Sequence, residues 1–143
     1  RAGGFAGEAN AYILSDFTAR GNIKSGGSDG AAGGLVGISG GTASHTNCSH
    51  SGDVESTIYV GGIVGRLSVS GSSATFTSCS SNGKLTNTGN YTGGVVGISE
   101  GACIADMQNC SHFGDITGKA YVGGLVWAVI KIDTAPTLHT YRQ

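Results

Sequence analysis

Residues 33–37 read Gly-Gly-Leu-Val-Gly, and residues 48–54 read Cys-Ser-His-Ser-Gly-Asp-Val. Variants of the first segment recur at residues 3–7, 61–65, 93–97 and 123–127, and variants of the second at residues 17–23, 79–85 and 110–116. The glycines of the second segment, at positions 21, 52, 83 and 114, are each 31 residues apart. Two motifs that share one period predict an internal repeat of that length.

The residues between the two motifs are typical of strands. Apolar and polar residues alternate, or short apolar runs are bounded by Gly, Ser and Asn, without the 3.6-residue stripe of a helix. The period is too short for a propeller blade, which takes about 40–50 residues. The sequence therefore predicts an all-β fold, a parallel β-helix (β-solenoid) with one rung per repeat. We expect about four to five rungs over residues 1–127, followed by a non-repeat C-terminal cap or docking segment at residues 128–143.

Equivalent positions of a solenoid stack on each other at about 4.8 Å and should be chemically similar. Four such columns are Leu14, His45, Phe76 and Met107; Phe17, Cys48, Cys79 and Cys110; Ile23, Val54, Leu85 and Ile116; and Ala31, Tyr59, Tyr91 and Tyr121. The glycine of the second motif is expected at a tight corner with positive φ. The Gly-Gly pairs are expected at another corner, or where a bulky side chain packs over the backbone.

The Gly-Gly-aliphatic-Val-Gly segment, followed by the Asn-Cys-Ser-x-x-Gly-x-Val type of segment, resembles the GLUG repeats of microbial surface proteins. These include adhesin-like proteins and the regions that precede the catalytic domain of IgA-specific metallopeptidases. The resemblance covers residues 1 to about 127. It implies a β-solenoid in an extracellular or cell-surface protein, used as a stalk or adhesive region without catalysis of its own. Trp127 departs from the pattern because it replaces the last glycine of the motif.

The chain has four cysteines, Cys48, Cys79, Cys103 and Cys110. Two arrangements of these cysteines stay open. Neighbouring rungs bring stacked Cα atoms to about 5 Å, within the range of a disulfide. Cys103 would then pair with Cys110, and Cys48 with Cys79, in an oxidising compartment. Alternatively, the stacked thiols stay free and pack as small apolar groups. A zinc site is not expected, because the C-x-x-C spacing is missing and a one-sided column cannot surround the ion.

The histidines and carboxylates give no catalytic pattern. His50 and His112 are predicted to lie on a solvent-exposed face, two rungs or about 9.6 Å apart, which is too far to share a metal ion. His45 is predicted to be a partly buried packing residue. A β-helix enzyme that acts on polysaccharides needs clustered carboxylates, or a pair about 5–10 Å apart, and Lys84 separates Asp53 from Asp115. We therefore predict no catalytic residue, no metal and no cofactor.

Three sequons make Asn47, Asn90 and Asn109 candidate glycosylation sites. The tyrosine column is interpreted as a packed ladder in preference to a sugar-stacking surface.

Composition limits the partners. The chain has a net charge of −1 and 12% charged residues, so it has no basic stripe for nucleic acid. No apolar run approaches the about 20 residues of a membrane span. Because its first residues already belong to a repeat, we interpret the chain as a processed product or a piece of a longer protein.

We predict an extracellular or cell-surface structural or adhesive module that stacks end to end on another copy, into a filament, or on neighbouring repeats of a longer chain. Candidate assembly contacts are Trp127, Val129, Ile130 and Ile132. The alternative is a module that binds a glycan or a host surface. A polysaccharide-acting enzyme and an ice-binding face are weaker alternatives.

Overall fold

The computed structural model describes residues 1–68, 72–100 and 103–124, and in these ranges the chain forms short strands and no helix. The strands are β1 (Ala2–Gly3), β2 (Ala6–Asn10), β3 (Ile13–Ser15), β4 (Thr18–Arg20), β5 (Ile23–Lys24), β6 (Ala31–Gly33), β7 (Val36–Gly40), β8 (Thr42–Thr46), β9 (Ser49–Ser51), β10 (Val54–Ser56), β11 (Tyr59–Gly61), β12 (Val64–Leu67), β13 (Ser73–Thr77), β14 (Ser80–Asn82), β15 (Leu85–Asn87), β16 (Tyr91–Gly93), β17 (Val96–Ser99), β18 (Ile104–Gln108), β19 (Ser111–Phe113), β20 (Ile116–Thr117) and β21 (Val122–Gly123). Within the same ranges, no helix is long and apolar enough to cross a bilayer.

The strands stack into parallel sheets that run along the solenoid axis. Sheet A contains β1, β6, β11, β16 and β21; sheet B β2, β7, β12 and β17; sheet C β3, β8, β13 and β18; sheet D β4, β9, β14 and β19; and sheet E β5, β10, β15 and β20. The chain visits sheets A to E in order in every rung, so the described residues make about four rungs. The predicted all-β parallel solenoid is confirmed.

The register follows the repeat. Val54 pairs with Ile23 on one side and Leu85 on the other, and Tyr59 pairs with Ala31 and Tyr91. Equivalent positions of successive repeats are therefore stacked, as the sequence columns predict.

The interior of each rung is divided into two apolar cores. The larger core lies among sheets B, C and D and includes Leu35, Val64 and Phe76; the smaller lies between sheets A and E and includes Val54 and Leu85. All five side chains are at most 1% exposed. Removal of these apolar side chains from water is the main force that holds the rungs together.

Two corners depend on left-handed backbone conformations. Gly21, Gly52, Gly83 and Gly114, between sheets D and E, have φ values of 108°, 137°, 125° and 136°, which confirms the predicted corner. A second column, at the corner between sheets C and D, is not predicted from the sequence: Asp16, Asn47, Ser78 and Asn109 have φ values of 53–55°. Asp and Asn tolerate this conformation better than most residues.

The second glycine of the first four Gly-Gly pairs lies under an inward side chain. A Cβ atom added at Gly34 would lie 2.5 Å from the Cβ of His50, and one added at Gly94 would lie 2.8 Å from the Cβ of His112. Because real Cβ atoms do not approach so closely, only glycine fits there. The Gly-Gly pairs are expected at a corner or where a bulky side chain packs over the backbone, and the second of these is found.

Candidate functional site

Sheet D separates a buried column of side chains from two columns that point outward. Ala19, His50, Ser81 and His112 point inward, because they occupy the central position of each three-residue strand. The outward side chains form the surface that we call the D face. Its two columns are Thr18, Ser49, Ser80 and Ser111, and Arg20, Ser51, Asn82 and Phe113.

The prediction that His50 and His112 lie on a solvent-exposed face is wrong. Their side chains point into the rung and are 2% and 6% exposed. The physical reason is strand alternation combined with the space left by the Gly-Gly pairs, since the imidazoles pack over Gly34 and Gly94.

Hydrogen bonds hold both of these histidines. His50 Nε2 lies 2.8 Å from the carbonyl oxygen of Gly21. His112 Nδ1 lies 2.7 Å from Ser81 Oγ, which donates its single proton to the carbonyl of Gly94 at 2.9 Å. This assigns a proton to His112 Nδ1. Burial lowers the pKa of both imidazoles, so they are neutral at neutral pH and support the strands from beneath.

His45 is buried more completely than predicted, with no exposed surface. Its Nε2 lies 2.8 Å from the Tyr12 hydroxyl and its Nδ1 lies 3.0 Å from the carbonyl oxygen of Thr75, while its ring stacks on Phe76 at 4.4 Å. Burial lowers the pKa of His45 to about 4 and raises the pKa of Tyr12 to about 12. The ring is a packing element without access to solvent.

All four cysteines are buried and free, so the structure has the free-thiol arrangement and no disulfide joins Cys48, Cys79, Cys103 and Cys110. In the stacked column, each thiol donates to a carbonyl of the preceding rung: Cys48 to Leu14 at 3.5 Å and Cys110 to Phe76 at 3.2 Å. The interaction with Cys110, followed by burial, raises the pKa of the Cys79 thiol. These thiols are buried core groups rather than accessible nucleophiles.

The tyrosine column is a packed ladder. Tyr59 and Tyr91 stack at 5.5 Å with an interplanar angle of 14°, and Tyr91 and Tyr121 at 5.3 Å and 18°. The Arg66 guanidinium lies 4.8 Å from the centre of the Tyr59 ring and donates to Glu100 at 2.5 Å. Since the rings cover one another, the ladder offers few free faces to a sugar.

The carboxylate of Asp53 supports a corner. Its Oδ1 accepts the backbone N–H of Lys84 at 2.9 Å, and Asn22 accepts the N–H of Asp53 in the same way one rung earlier. In the part of the chain that the structure describes, no three His, Cys, Asp or Glu side chains converge as a metal site.

The three sequon asparagines are exposed. Asn47 lies at the left-handed C–D corner, where its Nδ2 donates to Asp16 at 2.7 Å, and Asn109 occupies the same column. Asn90 precedes β16. The candidate assembly residues Trp127, Val129, Ile130 and Ile132 lie outside the described residues, as does the whole segment 128–143.

A shallow groove of about 300 Å³ lies on the D face. It is lined by the outward side chains Thr18, Arg20, Ser49, Ser51, Ser80 and Asn82, together with His50 at its base. Arg20 forms no ion pair with any residue that the structure describes. Phe113, in the same column as Arg20, is 59% exposed. Strand alternation on either side of His50 would have placed these residues on one outward face. The sequence alone does not distinguish this face from the other outward faces of the solenoid.

A family model described as the GLUG motif matches residues 28–55, which run from before β6 into β10 and span most of one rung. Comparisons with curated proteins and with solved structures find no match. The matched segment has the fold that the sequence resemblance implies. The chain is therefore a parallel β-solenoid that contains a GLUG motif at residues 28–55.

Proposed function

We propose that the chain is a non-catalytic structural module of an extracellular or cell-surface protein, and that it associates end to end through its terminal rungs. The partner is a second copy, which builds a filament, or further repeats of a longer chain. The observation that carries the proposal is the continuous parallel register, which leaves one edge of β2 to β5 and of β17 to β20 without a partner strand among the described residues. Such edges are templates for pairing with another chain.

Exposed apolar side chains at the first rung support the proposal. Phe5 is 46% exposed and contacts Phe17 at 5.7 Å and Tyr12 at 6.2 Å between ring centres. This aromatic cluster packs against the end of the larger core. A partner rung would cover it and remove apolar area from water.

The columns at the two ends are also complementary. If a second copy continues sheets C to E in register, Asp16 of that copy lies next to Asn109, which again brings Asp and Asn together, in the reverse order along the axis to Asp16 and Asn47. Ile23 of that copy lies next to Ile116, which continues the smaller core. Sheet A has one strand more than the others, so β21 would take the place of β1 of the incoming copy.

Light scattering and negative-stain electron microscopy over a concentration series test this association. We expect species that lengthen with concentration and have the width of one solenoid. A chain that stays monomeric at all concentrations contradicts stacking between copies.

The structural role of Asp53 supports the absence of catalysis, because its carboxylate is engaged by the backbone of the next rung. A pH–activity assay on a panel of polysaccharides is expected to give no turnover. Turnover that survives further purification would overturn this part of the proposal.

A further inference from the structure

We propose that the D face binds a short acidic oligosaccharide, with a uronic acid carboxylate at Arg20 and a second sugar ring against Phe113. This goes beyond the structural function, because it assigns a ligand to the side of the solenoid rather than to its ends. The two residues belong to one column, Arg20, Ser51, Asn82 and Phe113, on four successive strands. Three strand spacings separate them, about 14 Å.

Arg20 supplies the charge for a carboxylate. Arg1, Lys24 and Arg66 each lie within 4 Å of a carboxylate in the chain, whereas Arg20 has no such partner in the described ranges. A guanidinium presents paired N–H donors that match the two oxygens of a carboxylate. The exposed Arg20 is therefore available for an anionic group that comes from outside the chain.

Hydroxyl and amide groups fill the space between the two ends. Thr18, Ser49 and Ser80 follow each other at the strand spacing, with the oxygens of Thr18 and Ser49 3.1 Å apart. Ser51 and Asn82 lie beside them in the second column. Each hydroxyl both donates and accepts, and Asn does so through its amide, so this row matches the hydroxyl groups of a sugar chain that runs along the solenoid axis.

Phe113 provides an apolar surface at the far end. Its side chain is 59% exposed, whereas the inward aromatic ring of Phe76 is fully buried. In contrast to the tyrosine ladder, no stacking partner covers its ring among the described residues. An exposed aromatic ring offers the C–H face of a pyranose an apolar contact.

The groove favours a sugar over an acidic peptide. β9 and β14 are paired on both sides within sheet D, so their backbone groups cannot add a further strand there. The groove is lined by polar side chains and offers no apolar pocket for the side chains of a peptide. The hydrogen-bonded His50, Ser81 and His112 beneath the strands hold the face in one shape, which reduces the entropic cost of binding.

Titration calorimetry with a trimer of galacturonic acid tests the proposal, with the carboxyl-reduced trimer as the neutral control. We expect Arg20→Gln to weaken binding of the acidic trimer about tenfold, the effect of losing a charge-assisted hydrogen bond. Phe113→Ala should weaken it about fivefold. Lys119→Gln removes the same charge from the exposed segment between sheets E and A, and Ile13→Ala removes an exposed apolar side chain from sheet C; both should bind as the parent chain does.

Four results would overturn the proposal: no binding by the parent chain, equal binding of the reduced trimer, equal weakening by Arg20→Gln and Lys119→Gln, or tighter binding of a triglutamate peptide. Circular dichroism of each variant controls for folding. The titrations are made at a concentration at which the chain is monomeric, because Arg20 and Phe113 lie on the terminal strands β4 and β19, next to which a stacked copy would lie. Failure of binding under these conditions leaves the structural function untouched, and the reverse also holds.

Discussion

At the scale of the residue, the repeated glycines are required by close packing as much as by backbone conformation. Gly34 does not have a positive φ, yet the backbone of Gly62 and the Cβ of His50 occupy the space that a side chain would need. Gly26, in contrast, has nothing within 4 Å of an added Cβ. The sequence predicts that the Gly-Gly pairs are special, but it does not identify His50 as the group that covers one of them.

Gly34→Ala is expected to destabilise the fold by roughly 1–3 kcal/mol, because overpacking in a close-packed interior forces the backbone to shift. Gly26→Ala is the matched control and should change stability little, since its added methyl group meets no atom. Urea denaturation of both variants measures the difference. Equal free energies of unfolding would contradict the packing role of Gly34.

His45 gives the fold a dependence on pH. Its pKa is about 4 in the folded chain and about 6.5 when unfolded. Because the unfolded chain binds the proton more readily, the contribution of the neutral imidazole is full above pH 6.5 and is lost as the pH falls towards 4. This difference between the two pKa values corresponds to a contribution of about 3 kcal/mol to the free energy of unfolding.

His45→Phe should therefore reduce the loss of stability between pH 7 and pH 4, since the apolar ring suits a column of Leu14, Phe76 and Met107. Urea denaturation at pH 7, 5 and 4 compares the variant with the parent chain. His50 and His112 contribute in the same direction, so some dependence on pH should remain. If the free energy of unfolding falls as steeply with pH in the variant as in the parent chain, burial does not lower the pKa of His45.

At the scale of the element, the sequence determines the strands and their register, because one rung must stack on the next at about 4.8 Å and similar residues are then placed together. The columns that contain Val54 and Tyr59 follow directly from the period. The division of each rung into two cores is not predictable in the same way, since the period does not reveal which sheets of one rung face each other. The left-handed corner at Asn47 was similarly hidden, because Asp, Asn and Ser alternate there and no glycine marks it.

The column of Cys48, Cys79 and Cys110 is expected to be unreactive in the folded chain, because these thiols are at most 1% exposed and hydrogen-bonded to carbonyl groups. An aromatic disulfide reagent, added without a reductant, should label no thiol under native conditions and all four thiols, including Cys103, after denaturation. Rapid native labelling would contradict the burial. Fewer than four labelled thiols in the denatured chain would indicate disulfides.

At the scale of the whole molecule, the two proposals assign different roles to two kinds of surface. Among the residues that the structure describes, the ends present strand edges without a partner strand and the aromatic cluster around Phe5. The D face is a side surface, and its strands are already paired except at the two ends. A filament would repeat the D face along its length, with Arg20 of each copy next to Phe113 of the adjoining copy.

A charge at the last strand of sheet E should control the association between copies. Thr117 is exposed at the end of β20, and in the proposed stack it lies opposite Lys24 of the next copy. Thr117→Lys should weaken the contact through repulsion, and Thr117→Glu should strengthen it, each by roughly 0.2–1 kcal/mol per contact. Thr86→Lys and Thr86→Glu are the controls, because Thr86 occupies the same column within the chain.

The most direct measurement is sedimentation velocity of these four variants beside the parent chain at one concentration and low salt. End-to-end stacking predicts smaller species for Thr117→Lys, larger species for Thr117→Glu, and the parent distribution for both Thr86 variants. Thr117 variants that both sediment as the parent chain does, or Thr86 variants that shift as strongly, would contradict association through the terminal rungs.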